Sequence, residues 1–98
     1  MRKVLISETV EDKLADLRVY LIAELNLSEE AAFNHSRRMR AFVYSLALPA
    51  DYSLCRFKRW RDQGYRCAVF EKSWVFAYEI FDDGVIVREM SHTKLLNV

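Results

Sequence analysis

The sequence predicts an α+β domain in which a helical hairpin packs on a small antiparallel sheet, with the element order β-α-α-β-β-β. Apolar residues recur at helical spacing between residues 10 and 46, and the pattern changes to that of strands beyond Pro49. The dipeptide Asp83-Gly84 marks a tight hairpin between the last two strands. A chain of 98 residues with 52% hydrophobic residues is expected to form one domain over residues 1–98.

The first half of the chain predicts one strand and two helices. Residues 3–7, KVLIS, are a short β-branched run typical of a strand. Ser7 or Thr9 is expected to cap the first helix and Ser28 the second, with Asn26 as a left-handed terminator between them. The second helix must end before Pro49. The expected apolar stripes are Val10, Leu14, Leu17, Leu21 and Leu25 in the first helix, and Ala32, Met39, Val43 and Leu46 in the second.

The second half predicts three strands separated by short breaks. They are YRCAVFE (65–71), WVFAYEIF (74–81) and VIVREMS (85–91). In the middle strand, Trp74, Phe76, Tyr78 and Ile80 alternate and should share the face that covers the helices. The preceding stretch LCRFKRW (54–60) is compatible with a loop, an additional strand or a helical turn.

Composition favours a cytoplasmic protein that needs no cofactor. No apolar run approaches the length of a membrane span, and acidic residues interrupt the pattern of a signal peptide. Cys55 and Cys67 could meet across a hairpin, but in the cytoplasm they are expected to be reduced thiols. Nothing groups these cysteines with His35 and His92, so no metal site is predicted.

Charge is sorted along the chain although the net charge is only +1. Residues 37–66 contain eight Lys or Arg and two acids, whereas the segments before and after this region carry net charges of −3 and −2. Five of the basic residues lie in RFKRWRDQGYR (56–66), which we call the basic segment. Such sorting indicates an acidic partner or a polyanion. A dedicated nucleic-acid-reading motif is absent, so direct nucleic-acid binding is the weaker interpretation.

The element order and the motifs of residues 59–92 resemble the RelE/ParE superfamily of type II toxins. Members of that family show a Gly-aromatic/Leu-Arg motif, an apolar strand ending in Tyr-x-Ile/Val, an acidic or Gly turn, and a last strand that ends near a His. The matching residues here are Gly64-Tyr65-Arg66, Tyr78-Glu79-Ile80, Asp82-Asp83-Gly84, Val85-Ile86-Val87 and His92.

The resemblance implies a toxin of a plasmid-stabilisation or addiction module, held inactive by an acidic, partly disordered antitoxin in a hetero-oligomer or dimer. The family has two functional branches. RelE-like members are ribosome-dependent mRNA endonucleases, and ParE-like members block DNA gyrase without being catalysts. A third alternative is a non-toxic protein-interaction domain of the same fold.

Two departures from the nuclease pattern favour the ParE-like branch. Nuclease relatives commonly place an Arg three residues before the Tyr of the Tyr-x-Ile/Val strand, and this chain has Val75 there. They also tend to carry a Tyr or His near the C-terminus, and the last Tyr of this chain is Tyr78. RNA cleavage needs a base, an acid and a cation at the phosphate. If the protein were a nuclease, those roles would fall to Arg66, Arg88 and His92.

The surface expected to bind the antitoxin or the target is built on the basic segment. Trp60 among cations is a common interface composition. The alternative is a charged edge strand that resists aggregation. The alternative for Arg66 is a cross-strand pair with Glu79 or Glu89, and that for His92 is a packed or surface imidazole. Arg37, Arg38 and Arg40 form either a solvated helix face or an extension of this surface. The full predicted partner-binding set is Arg56, Lys58, Arg59, Trp60, Arg61, Arg66, His92 and Lys94.

Overall fold

The computed structural model describes residues 1–96 and confirms the α+β class and the predicted element order, with one additional short helix. In chain order the elements are strand β1 (Lys3–Ile6), helices α1 (Glu8–Ala23), α2 (Glu29–Tyr44) and α3 (Lys58–Asp62), and strands β2 (Arg66–Phe70), β3 (Trp74–Phe81) and β4 (Gly84–His92). Single 3-10 turns follow α2 at Ser45–Ala47 and β4 at Thr93–Leu95. No helix among residues 1–96 has both the length and the apolar character that crossing a bilayer requires.

The helical hairpin forms where its caps predict. The hydroxyl of Ser7 accepts a hydrogen bond from the backbone N–H of Val10, and the hydroxyl of Ser28 does the same for Ala31. Asn26 has a φ of +55°, the left-handed conformation expected of a residue that reverses the chain. The last turn after α2 tightens to 3-10 geometry before Pro49.

The sheet is mixed rather than wholly antiparallel. The strand order is β1-β4-β3-β2, and β2, β3 and β4 form the predicted antiparallel meander. The expectation of an antiparallel sheet is wrong for β1, which pairs parallel with β4 from Lys3 opposite Gly84 to Ile6 opposite Val87. The long connection through the helices leads from β1, at one edge of the sheet, to β2, at the other edge. Strand β2 runs in the same direction as β1.

The inner face of the sheet, which we define as the face covered by α1 and α2, carries the main core. Fully buried side chains of Phe76, Tyr78 and Val85 meet Val10 of α1 and Met39 of α2. Trp74 packs partly buried at the rim of this core, as predicted. Ile80 does not join it, because its side chain is 45% exposed near the end of β3. A register shift at Ala77 and Tyr78 leaves Arg88 as an extra residue of β4.

A polar network ties the N-terminus to the loop after α2. The Arg2 guanidinium forms a two-pronged ion pair with Asp51 and donates to the carbonyl of Leu46. The phenol of Tyr78 donates to the same carboxylate at 3.2 Å and accepts from the backbone N–H of Tyr52 at 3.0 Å. The hydrogen bonds from Arg2 hold the pKa of Asp51 below its ordinary value of 3.8.

This network predicts a loss of stability in acid. Because the pKa of Asp51 is lowered by folding, its contribution is complete above pH 3.8 and disappears as the pH falls through the folded-state pKa. The Asp51→Asn variant should therefore be less stable than the parent by about 1 kcal/mol at pH 7, and the difference should shrink towards pH 2. Urea unfolding followed by far-UV circular dichroism at both pH values measures it. Asp82→Asn is the matched control, because it changes an exposed carboxylate that forms no ion pair within residues 1–96. A pH-independent difference for Asp51→Asn would contradict the assignment.

Candidate functional site

The basic segment folds as helix α3 and a turn leading into β2. Of the three conformations compatible with residues 54–60, the helical turn is observed from Lys58 onwards, whereas Leu54 forms an isolated bridge with Arg66. Helix α3 has five residues and no side-chain cap. It ends at Asp62, and the φ of +79° at Gly64, two residues later, allows the chain to turn back. The backbone N–H of Tyr65 donates to the carbonyl of Trp60. The alternative of an edge strand for this segment is therefore wrong, since the edge strand is β2.

Helix α3 is fixed to the outer face of the sheet, which we define as the face opposite α1 and α2. The Trp60 side chain is only 3% exposed and packs with Cys55, Val75 and Ala77 in a second apolar cluster. Its ring meets that of Phe57 edge to face, with the ring centres 5.2 Å apart. The structure corrects the expectation that Trp60 contacts a partner. Its side chain points from α3 towards the sheet, whereas its neighbours Arg59 and Arg61 on the same helix are exposed.

Cys55 and Cys67 form a disulfide, and the expectation of reduced thiols is wrong for this structure. The segment before α3 runs antiparallel beside the start of β2: Cys55 N–H donates to the carbonyl of Tyr65, and Cys67 N–H donates to that of Ser53. These bonds bring the two Cα atoms to 4.9 Å, within the range a disulfide requires. The expectation of reduced thiols rested on the cytoplasmic compartment alone, which gives no information about which cysteines become neighbours in the fold.

Three exposed cations of the basic segment have no carboxylate partner within residues 1–96. Arg56, Arg59 and Arg61 are exposed and form no ion pair there, although the guanidinium of Arg59 lies 5.4 Å from the centre of the Phe57 ring. Lys58 differs, since its ammonium pairs with Asp62 one turn later on α3. The predicted basic surface thus keeps three exposed Arg side chains without ion pairs in residues 1–96, two of them on α3 (Arg59 and Arg61) and one just before it (Arg56).

The Arg residues of the second helix do not extend this surface. Arg40 pairs with Glu11 of α1, and Arg38 pairs with Glu71 in the turn between β2 and β3. Helix α2 packs on the inner face of the sheet and α3 on the outer face, so the sheet separates the two groups of cations. Arg37 and Arg38 are exposed to solvent, as expected if they form a solvated helix face.

Arg66 and Arg88 are each engaged by the protein itself. The Arg66 guanidinium donates to the carbonyl of Tyr52 at 2.7 Å. It does not pair with Glu79 or Glu89, so the cross-strand alternative is wrong. Arg88 forms the salt bridge to Glu79 instead.

His92 and Lys94 lie at the other end of the sheet beside a separate groove. The His92 Nδ1 accepts a hydrogen bond from the backbone N–H of Lys94 at 3.1 Å, and its ring meets Trp74 edge to face. The groove has a volume of about 540 Å³ and lies between α1 and the end of β4. Its main apolar lining residues are Leu17, Tyr20, Trp74, Met90 and Leu95. His92 is therefore a packed imidazole at the rim of an apolar groove beside α1.

The three residues that would serve a nuclease do not converge. Arg66 lies opposite Tyr78 in the sheet and His92 lies opposite Trp74. These partners are four residues apart on β3, which corresponds to about 13 Å along an extended strand. Arg88 pairs with Glu79, a residue beyond Tyr78 and farther still from His92. No single phosphate can contact all three groups. Among residues 1–96, no group of three His, Cys, Asp or Glu side chains is placed to hold a metal ion either.

Comparisons with known proteins leave the family unassigned. No protein-family model matches the chain, and no curated protein matches it at a significant level.

Two features of the site are not evident from the sequence patterns. The network of Arg2, Asp51 and Tyr78 joins residues that are far apart in the chain and become neighbours only in the folded structure. The apolar groove beside His92 combines α1 with the ends of β3 and β4 in the same way. The spacing of the two cysteines across a hairpin did indicate a possible disulfide, but the expected cytoplasmic location favoured reduced thiols.

Proposed function

We propose that this protein is a cytoplasmic toxin of a type II toxin-antitoxin module, a ParE-like inhibitor of DNA gyrase neutralised by an acidic antitoxin. The observation that carries the proposal is the outer face of β3. Val75, at the position where nuclease relatives place a cation, is 6% exposed and packed beneath Trp60. An apolar cluster therefore fills the space that a catalytic cation would need, and the separation of Arg66, Arg88 and His92 also argues against a nuclease.

The basic segment supports a role in binding proteins. Unpaired Arg side chains are enriched at protein interfaces because the guanidinium binds carboxylates with two parallel hydrogen bonds. Arg59 and Arg61 lie on a helix fixed by Trp60, and Arg56 follows the disulfide-bonded Cys55, so little ordering is needed when they bind. An acidic antitoxin segment complements this surface in charge and would order as it binds.

The activity test combines three readouts: growth on expression, gyrase supercoiling with purified protein, and mRNA cleavage in a translating extract. Expression of the protein alone should arrest bacterial growth, and purified protein should reduce gyrase supercoiling while mRNA in a translating extract stays intact by primer extension. Loss of one organised charge stabiliser lowers catalytic rates by about 10²- to 10³-fold, so cleavage near background is expected. Codon-phased cuts abolished by His92→Ala or Arg88→Ala would establish the RelE-like alternative. Normal growth at high levels of folded protein would favour the non-toxic interaction domain.

The binding test reverses charge on α3. Arg59→Glu combined with Arg61→Glu should weaken binding of the acidic partner by about 100-fold at low salt, and should reduce the salt dependence of binding. Stability should change little, because exposed charges contribute about 0–1 kcal/mol. The partner is the small acidic protein encoded beside this gene, titrated calorimetrically at two salt concentrations.

The matched control carries the same change in charge on the opposite side of the sheet. Arg18 and Arg37 are exposed on α1 and α2, and neither forms an ion pair within residues 1–96. Reversing both should reduce binding only through the net charge. If the two double variants lose affinity equally, or if the α3 variant loses none, the basic segment is not the binding surface.

A further inference from the structure

The Cys55–Cys67 disulfide occupies a position from which it can control the basic segment. It joins the chain just before α3 to edge strand β2. Besides the bond between the two sulfurs, these segments are held by one isolated bridge between Leu54 and Arg66, which consists of the two backbone hydrogen bonds donated by Cys55 and Cys67. The Arg66 guanidinium adds a hydrogen bond to the carbonyl of Tyr52. Helix α3 is too short to be stable alone and has no side-chain cap, so its main further anchor is the burial of Trp60.

The two sulfurs differ in their surroundings. Cys55 is 1% exposed within the outer cluster. Cys67 is partly exposed and lines an open groove of about 440 Å³ together with Leu54, Arg56 and Val69. An incoming thiolate can therefore approach Cys67 from the groove, with Cys55 as the leaving group. Arg56 on the same groove favours an attacking anion.

We propose that the Cys55–Cys67 disulfide is a reducible tether that holds the basic segment in its binding conformation, and that a dithiol reductant releases it. One thiolate of the reductant attacks the sulfur of Cys67 and forms a mixed disulfide, while the Cys55 sulfur leaves with the electron pair and takes up a proton. The second thiol of the reductant then attacks its own half of the mixed disulfide and releases Cys67 as a thiol. The protein gains two electrons and two protons, and the reductant is oxidised to its disulfide.

The consequence is a change in order of one segment rather than of the whole fold. The inner core does not contain either cysteine, and the contacts of α1 and α2 with the sheet are independent of the tether. In the chain-entropy model, opening a loop whose ends are 12 residues apart shifts the balance between open and closed segment by about a hundredfold. A disulfide in a cytoplasmic protein is typically transient and redox-sensing. Given the proposed function, reduction would weaken binding of the acidic partner.

Trypsin measures the release directly, because its sites fall inside the basic segment. The oxidised full-length protein and the same protein treated with dithiothreitol are digested briefly, and the peptides are quantified by mass spectrometry. Cleavage after Arg56, Lys58, Arg59 and Arg61 should accelerate at least about tenfold on reduction, since proteolysis follows the population of the open state. Cleavage after Arg37 and Arg38 on α2 is the internal control and should change less than about threefold. Equal acceleration at both places, or none at either, would overturn the proposal.

Two additional measurements keep the result interpretable. The double variant Cys55→Ser with Cys67→Ser should be cleaved like the reduced protein and be indifferent to dithiothreitol; if it does not fold, hydrogen exchange of the Cys55 and Tyr65 amides in the oxidised and reduced parent replaces it. Growth inhibition without redox-dependent cleavage would reject the tether and keep the proposed function. Redox-dependent cleavage without growth inhibition would keep the tether and reject the proposed function.

Discussion

Replacing Trp60 by Ala should lower the free energy of unfolding by about 3–5 kcal/mol, the usual cost of deleting a buried Trp. The side chain is 3% exposed and joins Cys55, Val75 and Ala77 between α3 and the sheet. Its removal leaves a cavity that a five-residue helix cannot fill without losing its position. Since a domain of this size is stable by about 5–15 kcal/mol, much of its stability is at stake.

Urea unfolding followed by far-UV circular dichroism measures the loss, and the signal does not depend on Trp fluorescence. Arg61→Ala on the same helix is the matched control and should stay within about 0.5 kcal/mol of the parent. Trp60→Phe should retain part of the packing and fall between the two. An unchanged midpoint for Trp60→Ala, combined with lost partner binding, would instead make Trp60 an accessible interface residue, as its position among cations in the sequence predicts.

Replacing Gly84 by Ala should cost about 2–3 kcal/mol, because this glycine lets two strands approach closely. A Cβ atom there would lie 2.5 Å from the Lys3 carbonyl oxygen and 2.9 Å from Cζ of Phe81. The carbonyl belongs to the backbone of β1, so the parallel pairing of β1 with β4 would have to shift. Amide exchange in β1 should rise together with the loss of global stability.

Gly64 provides a contrasting control in the same chain. Nothing lies within 4 Å of a Cβ atom built there, but its φ is +79°. Gly64→Ala should therefore cost about 1–2 kcal/mol, from backbone conformation alone. Asn tolerates the left-handed region, so Gly64→Asn should be milder than Gly64→Ala, whereas Gly84→Asn should be worse than Gly84→Ala. The same order at both positions would remove the steric explanation for Gly84.

Local patterns were sufficient for much of the fold. The helical hairpin follows from apolar spacing and from the caps at Ser7 and Ser28, which act within one turn of the chain. The left-handed Asn26 is likewise a short-range feature, and so is the hairpin between β3 and β4, although its two-residue loop is Asp82-Asp83 and Gly84 already belongs to β4. Each of these depends on residues within a few positions of one another, and steric and hydrogen-bonding preferences at that range are written in the sequence.

Contacts between distant residues were decided only by the tertiary structure. The parallel pairing of β1 with β4 joins the two ends of the chain, and the burial of Trp60 depends on how α3 meets the sheet. The separation of Arg66 from His92 follows from strand register, which places them opposite residues four positions apart on β3. By itself the sequence determined the α+β order, the apolar faces and the sorting of charge. Which cations remain unpaired, and whether the cysteines meet, depended on long-range packing, because composition and periodicity contain no information about which distant side chains become neighbours.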